Sequence, residues 1–273
     1  MTRTLDREAP ESRGLLLRIV PPGLYAGRPH VIVERAHLVY RRAWTAFVAG
    51  FFEPLFFLLS LGFGFGQLVS EVNGLPYPAF VAPGLLAASA MNGAIFDTTY
   101  NLFLKVKYSK VYEAMLNTPM GPIDIAVGEA TWALLRGGLY SAGFLVVMFG
   151  FGLVTSAWAL LALPVCLLIA LAFAAVGMAG ATFMRSWQDF DLVQLVVLPL
   201  FLFSTTFYPL SVYPSWLQAV VQWTPLYHSI ELLRALTTGS VGWGALAHVV
   251  YLVVMAAAGV LVASRRLGKL LVS

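Results

Sequence analysis

The sequence predicts an all-α membrane protein with six transmembrane helices, an amino-terminal interfacial amphipathic helix and outer re-entrant helices before the sixth span. Three observations carry this prediction. Of the 273 residues, 59% are hydrophobic and only 11% charged, with a mean hydropathy of +0.81, whereas a soluble domain keeps about a quarter of its residues charged. Apolar runs recur at roughly the 20 residues that a helix needs to cross a bilayer with every backbone amide satisfied inside its own segment. Basic residues gather at alternate ends of those runs, as the positive-inside rule requires of a polytopic protein.

The elements follow in order. Residues 1–28 are charged and hold only the short apolar stretch "GLLLRIV" before "PPG". That is too short for a secretory signal, so a flexible cytoplasmic tail is expected. In residues 29–43, "PHVIVERAHLVYRRA", Ile32, Ala36, Val39 and Ala43 recur at helical spacing while His30, Glu34, His37 and Arg41 repeat on another face. This is an amphipathic helix, lying in the membrane interface or packed on protein. The spans are expected at 44–69, 80–104, 123–151, 158–184, 192–208 and 245–263. With both termini in the cytoplasm, all seventeen Lys and Arg residues except Arg136 and Arg234 fall inside. The net charge of +4 needs only anionic inner-leaflet lipid as a counterpart, not nucleic acid.

Residues 208–244 are too apolar for a solvated loop, yet Pro209, Pro214 and Pro225 cut them into pieces too short to cross. Half-spanning helices that dip back from the outer face fit this pattern, and so does a pair of interfacial helices. Between the second and third spans, "KVKYSKVYEAMLNTPMGPIDIAVGEATW" predicts a short helix over 108–116 that exposes Lys107, Lys110 and Glu113 on one side and presents Tyr108, Tyr112, Met115 and Leu116 on another. Thr118 is expected to cap the next helix, with Pro119 at its first position. Such a helix is either a docking element for a partner or a plain connection.

Ionisable residues in or near the spans are Glu53, Asp97, Asp124, Glu129, Arg136, Asp189, Asp191, Glu231 and Arg234. A charge at membrane depth costs about 2.5–3.5 kcal/mol, so these groups should face the protein interior and pair. Glu129 and Arg136 share a helix face but stand two turns apart. Arg136 should therefore meet an acid from another span, Glu53 or Asp97, and pin spans one to three together. Contact with substrate, or a proton relay, is the alternative role for this network. In "GFGFGQ", Gly62 and Gly66 fall at GxxxG spacing, which suits close helix packing. No GxxxxGK[ST] loop for ATP occurs. The four His lie apart without Cys partners or an HExxH pattern, which argues against a metal site, and no GxSxG nucleophile context is present. Cys166, in "LALPVCLLIALAF", reads as a packing residue.

"FEPLFFLLSLGFGFG" at 52–66, "FVAPGLLAASAMNGAIFDTTYN" at 80–101, "YEAMLNTPMGPIDIAVGE" at 112–129 and "TTFYPLSVYPSWLQAVVQWTPLYHSIELLRAL" at 205–236 together resemble the permease subunit of type 2 ABC exporters (ABC-2). The resemblance is strongest to the nodulation J branch, which exports lipo-oligosaccharides, with daunorubicin-type drug efflux permeases as cousins. It implies an ABC-2 type transmembrane domain over 44–273 and a coupling helix over 107–117. By position, Lys107, Lys110, Tyr112, Glu113 and Leu116, with Glu34 and Arg41 of the amino-terminal helix, would face the ATPase. It also implies a second permease subunit, a homodimer before a heterodimer, and two copies of a separate ATPase that holds the ATP and magnesium; this chain holds no cofactor. The expected location is the bacterial inner membrane.

The function implied is ATP-driven export of an amphiphile, whether lipo-oligosaccharide, glycolipid or hydrophobic drug. The aromatic residues, 14% of the chain, would suit the path of an amphiphile: Phe56, Phe63, Phe203, Phe207 and Tyr208, with Phe57, Phe65 and Phe201 beside them, although lipid-facing packing explains many of them as well. The rival class is a membrane-embedded transferase acting on a lipid-linked substrate. Asp189 and Asp191 in "SWQDFD" are its best candidates, and a polar turn that begins the fifth span explains them more simply.

Overall fold

In the computed structural model, residues 27–42, 44–69, 71–105, 111–118, 120–184 and 186–272 are described. The expected tail at 1–28 lies almost entirely outside them. The described residues fold into ten α-helices: α1 (Pro29–Arg42), α2 (Trp44–Phe57), α3 (Tyr77–Phe96), α4 (Val111–Leu116), α5 (Pro122–Gly150), α6 (Ala162–Ala181), α7 (Asp189–Phe203), α8 (Ser215–Gln222), α9 (Pro225–Thr238) and α10 (Trp243–Val272). Two π-helical stretches, Leu58–Phe65 and Asp97–Asn101, prolong α2 and α3. The "EVNGLPYP" linker forms a two-stranded ribbon, β1 (Glu71–Val72) and β2 (Leu75–Pro76). Asn73 and Gly74 at its tip both have positive φ, 52° and 76°, the demand of a tight hairpin turn.

Four helical stretches are long and apolar enough to cross a membrane: Tyr77–Asn101, Val127–Gly150, Ala157–Ala181 and Trp243–Arg266. The apolar stretch Phe51–Phe65 is shorter. The expected fifth span ends early, because α7 is only 15 residues long and closes at Phe203, about 22 Å at 1.5 Å per residue. Ser204, Thr205 and Thr206 leave the helix and are buried, and Thr205 has φ 62°.

The core is formed by α3, α6, the distal half of α5, α9 and α10. Small residues permit close approach. A Cβ on Gly259 of α10 would lie 2.8 Å from Ala175 Cβ of α6, and one on Gly84 of α3 would lie 3.0 Å from Thr206 Cα. Gly62 and Gly66 share a face, as the spacing predicts, and that face meets Pro78 at the start of α3.

Two local expectations are corrected. The helix after α4 begins at Pro122, not at Pro119, which itself lies outside the described residues. Gly121 stands at the N-cap, and its N–H donates to Asp124 Oδ2 at 2.9 Å, while the Thr118 hydroxyl donates backwards to Met115 O at 2.5 Å. Asp124 thus satisfies an amide at the helix start, a role the more distant Thr118 does not take. The packed face of α1 also differs from its expected stripe: Ile32 and Ala36 are buried, but Val39 is 54% exposed. The stripe continues through Tyr40 instead, at i, i+4 and i+8.

Gly259→Val should lower the thermal unfolding midpoint in detergent, equivalent to about 1–3 kcal/mol for overpacking a tight helix contact. Gly180→Ala, with open space around it, should leave the midpoint unchanged or slightly higher.

Candidate functional site

A cavity of about 710 Å³ opens among α2, α3, α5 and α7. Its apolar lining comes from Phe57 of α2, Leu85 of α3, and a stripe on α7 at helical spacing: Phe190, Val193, Val197 and Phe201. Glu53, Ser89, Asn92, Asn101, Arg136 and Gln194 supply polar atoms to the same surface. A large, mainly apolar space with a few convergent polar groups is the usual form of a ligand site.

The polar wall is built around Arg136. Its guanidinium lies 2.8 Å from Asp97 Oδ1 and donates to the Tyr40 hydroxyl at 3.0 Å. Asn101 Nδ2 donates to Asp97 Oδ1 at 2.7 Å and to the same Tyr40 hydroxyl at 3.1 Å. Three elements therefore meet here: α1 through Tyr40, α5 through Arg136, and the π-helical end of α3 through Asp97 and Asn101. The π stretch is a local answer to sequence. Thr98 and Thr99 donate back to Ala94 O and Ile95 O at 2.7 and 2.6 Å, occupying carbonyls near the site where the α-helical ladder changes register.

Arg136 and Asp97 side chains are 12% and 6% exposed, so neither charge has water to fall back on. Burial pushes the Tyr40 phenol above its ordinary value of 10.0, and the charge of Asp97 adds to this, so Tyr40 remains a neutral hydroxyl. Its ring packs 5.3 Å from Trp132 and 5.4 Å from the Arg136 guanidinium carbon. One helical turn towards α4, Lys105 pairs with Glu129 at 2.6 Å. Asp124 then receives the Arg28 N–H at 2.8 Å. Along α5, Asp124, Gly128, which lies against Pro29 and Ile32, and Arg136 thus form a rail on which α1 lies.

Of the two acids expected to meet Arg136, the structure brings Asp97 and not Glu53. Glu53 is exposed and lines the cavity. The five proposed path residues do not gather around this space: Phe56, Phe203 and Tyr208 are exposed, Phe63 packs on Phe151, and buried Phe207 packs on Phe201. Phe57 and Phe201 do line it. Glu34 and Arg41 are exposed on α1. Lys107 and Lys110 lie outside the described residues, as do the side chains of Tyr112, Glu113 and Leu116, whose backbone forms α4. Asp189 starts α7, accepting the Ser186 N–H at 3.0 Å.

The end of the bundle that carries α8 and α9 is closed by a second charged cluster. Arg234 bonds to Glu231 Oε1 at 2.5 Å and to Thr205 O at 2.8 Å, with its guanidinium carbon 4.0 Å from the centre of the Phe80 ring. This holds the left-handed Thr205 in place. The fold also joins two His that stand twenty residues apart in the chain: His228 and His248 face each other with Nδ1 atoms 2.7 Å apart. Sequence reading missed Tyr40, whose signal was the continuation of the Ile32, Ala36 spacing, and Asn101, whose signal was its i+4 distance from Asp97.

A helical membrane protein with a mainly apolar cavity and a few convergent polar groups suits a transport permease, and the family comparison supplies that role. Residues 30–238 match the model of the ABC-2 type transporter family; the chain belongs to that family. It is 36% identical over 208 residues to nodulation protein J of Rhizobium leguminosarum bv. trifolii, covering 76% of this chain and 79% of the relative. It is 32% identical over 225 residues to nodulation protein J of Sinorhizobium fredii, covering 82% and 86%. The inner membrane transport permease YadH of Escherichia coli is 26% identical over 173 residues, covering 62% and 66%. The chain is therefore a multi-pass membrane transport subunit without catalytic activity of its own, the ATPase of such a system being a separate subunit.

Removing one member of the Arg136–Asp97 pair strands a buried charge. Arg136→Gln should therefore cost about 3–5 kcal/mol, read as a lower unfolding midpoint. The double variant Asp97→Asn, Arg136→Gln should recover part of that loss; a double variant no more stable than Arg136→Gln alone would contradict the pairing.

Proposed function

We propose that this chain is the permease subunit of an ATP-driven exporter that moves an amphiphile, such as a lipo-oligosaccharide, glycolipid or hydrophobic drug, out of the cytoplasm or the inner leaflet. The observation that carries this reading is the cavity itself. Its apolar α7 stripe and opposing polar wall match a cargo with one greasy and one polar part, and the family membership supplies the transport role. The names of the nodulation relatives support the lipo-oligosaccharide end of that range.

In this reading the six expected spans are the four long helices together with α2 and α7, and α8 and α9 are the re-entrant pair. Both termini lie in the cytoplasm. Two copies of the chain form the pathway. The cavity is flanked by α2 and α7, whose outer faces carry Phe52, Phe56, Leu192, Leu195 and Val196, all exposed; a second copy would cover these faces and complete the wall beside Glu53. Two ATPase subunits bind ATP and magnesium beneath α4 and the exposed face of α1, with Lys107, Lys110, Tyr112, Glu113, Leu116, Glu34 and Arg41 at the contact. Closure of the ATPase pair then moves these helices and, through them, the cavity.

The test is reconstitution with a separately purified ABC ATPase subunit from the same cell. ATP hydrolysis should rise when the permease is present, and Glu113→Ala with Leu116→Ala should reduce that stimulation by about tenfold while the ATPase alone keeps its own rate. Acyl or glycosyl transfer to a lipid-linked acceptor by the purified chain, with no response to the ATPase, would favour the transferase instead.

A further inference from the structure

Tyr40 stands at an unusual junction. Its backbone belongs to α1, whose opposite face presents His30, Glu34, His37 and Arg41 to solvent, while its side chain lines the cavity together with Arg136 and Asn101. Both of those cavity residues donate to its hydroxyl, at 3.0 and 3.1 Å. At its other end α1 is fixed to α5 by the Arg28 N–H bond to Asp124 and by Ile32, which sits where a Cβ on Gly128 would come within 2.7 Å. So α1 is a strut: fastened tightly near residue 30, bound by hydrogen bonds through a hydroxyl near residue 40, and bare on the side away from the bundle.

We infer that Tyr40 is a positioning residue that couples the state of the cavity to the bare face of α1, where the preceding reading seats the ATPase subunit. The physical basis is a shared donor group. Arg136 Nη1 reaches both Asp97 Oδ1, at 2.8 Å, and the Tyr40 hydroxyl, at 3.0 Å. Because the guanidinium is a rigid planar fork, an acceptor in the cavity that draws it towards itself moves Nη1 as well, so that the weaker, uncharged bond to Tyr40 lengthens when the cavity is occupied. A shift of α1 by a docked subunit weakens the same bond from the other side. Linkage makes the two effects reciprocal. The ring and the hydroxyl have separable duties: the ring holds α1 against Trp132, and the hydroxyl carries the coupling.

The experiment uses the full permease–ATPase complex in lipid nanodiscs, with Gln194→Cys in the cavity wall labelled by an environment-sensitive fluorophore. Native Cys166 is buried and does not compete for the label. The readouts are the fluorescence change on adding ATP with vanadate and the basal rate of ATP hydrolysis. With Tyr40 intact, nucleotide should change the signal. In Tyr40→Phe, which keeps the ring and removes only the hydroxyl, that change should fall at least fivefold, whereas Gly259→Val, destabilised at a helix contact away from the cavity, should keep it. Arg136→Lys, which keeps the charge beside Asp97 but loses the fork, should fall likewise, and it decides the matter if Tyr40→Phe does not assemble. A full nucleotide response in either variant overturns the role of Tyr40 and leaves the permease reading standing. No nucleotide response with Tyr40 and Arg136 both intact overturns the permease reading itself.

Discussion

A guanidinium with almost no access to water governs the arrangement of this protein. Arg136 lies in the middle of α5, and a cation there is tolerable only if its donors are taken up. Asp97 supplies the countercharge and Tyr40 a neutral acceptor, and to do so the carboxyl ends of α3 and α1 must both come to α5. The π-helical turn at Asp97–Asn101 serves this demand: the hydroxyls of Thr98 and Thr99 cover carbonyls nearby, and Asp97 and Asn101 are left bonded to each other on one side. Once these three elements are joined, the cavity has its polar wall. The apolar packing of α3, α6, α9 and α10 then provides the rigid frame around which that wall is held.

Much of this was legible in the residues because the bilayer narrows what a chain can do. Apolar runs of span length had to become helices, and they did over 77–101, 127–150, 157–181 and 243–266. The need of Arg136 for an acid from another helix was equally readable, but the choice between Glu53 and Asp97 was not. It depends on the rotation of α2 and on a register change in α3, and neither leaves a mark in hydropathy. The buried stripe of α1 was misjudged at its third member for a related reason. An apolar face alone pointed to Val39, whereas the pocket awaiting it is polar and takes Tyr40. Aromatic residues carried still less information, since a Phe exposed on the outside of the bundle, a Phe in the core and a Phe on a cavity wall are the same letter; Phe56, Phe207 and Phe201 are one of each. The cap of α5 was misplaced by three residues because "NTPMGPID" offers two prolines, and only the Asp124 carboxylate distinguishes the one that begins the helix.

The two charged clusters differ in character. Around Arg136 the groups join separate helices and border open space. Around Arg234 they lie within α9 and clamp the backbone of Thr205, which adopts a conformation costly for a β-branched residue. The first borders a cavity, where other polar groups can approach it, while the second is enclosed, and its release would leave the Arg234 charge buried without its partners. The bundle thus has an adaptable cluster beside its cavity and a firmly latched one at the α9 end.

The isolation of α7 carries its own consequence. None of its fifteen residues is buried, so it touches the bundle lightly along one stripe. Swinging it aside gives up little packing, and for its apolar stripe a bilayer, unlike water, exacts no hydrophobic penalty. Of the helices around the cavity, α7 is therefore the shutter hung on the lightest hinge.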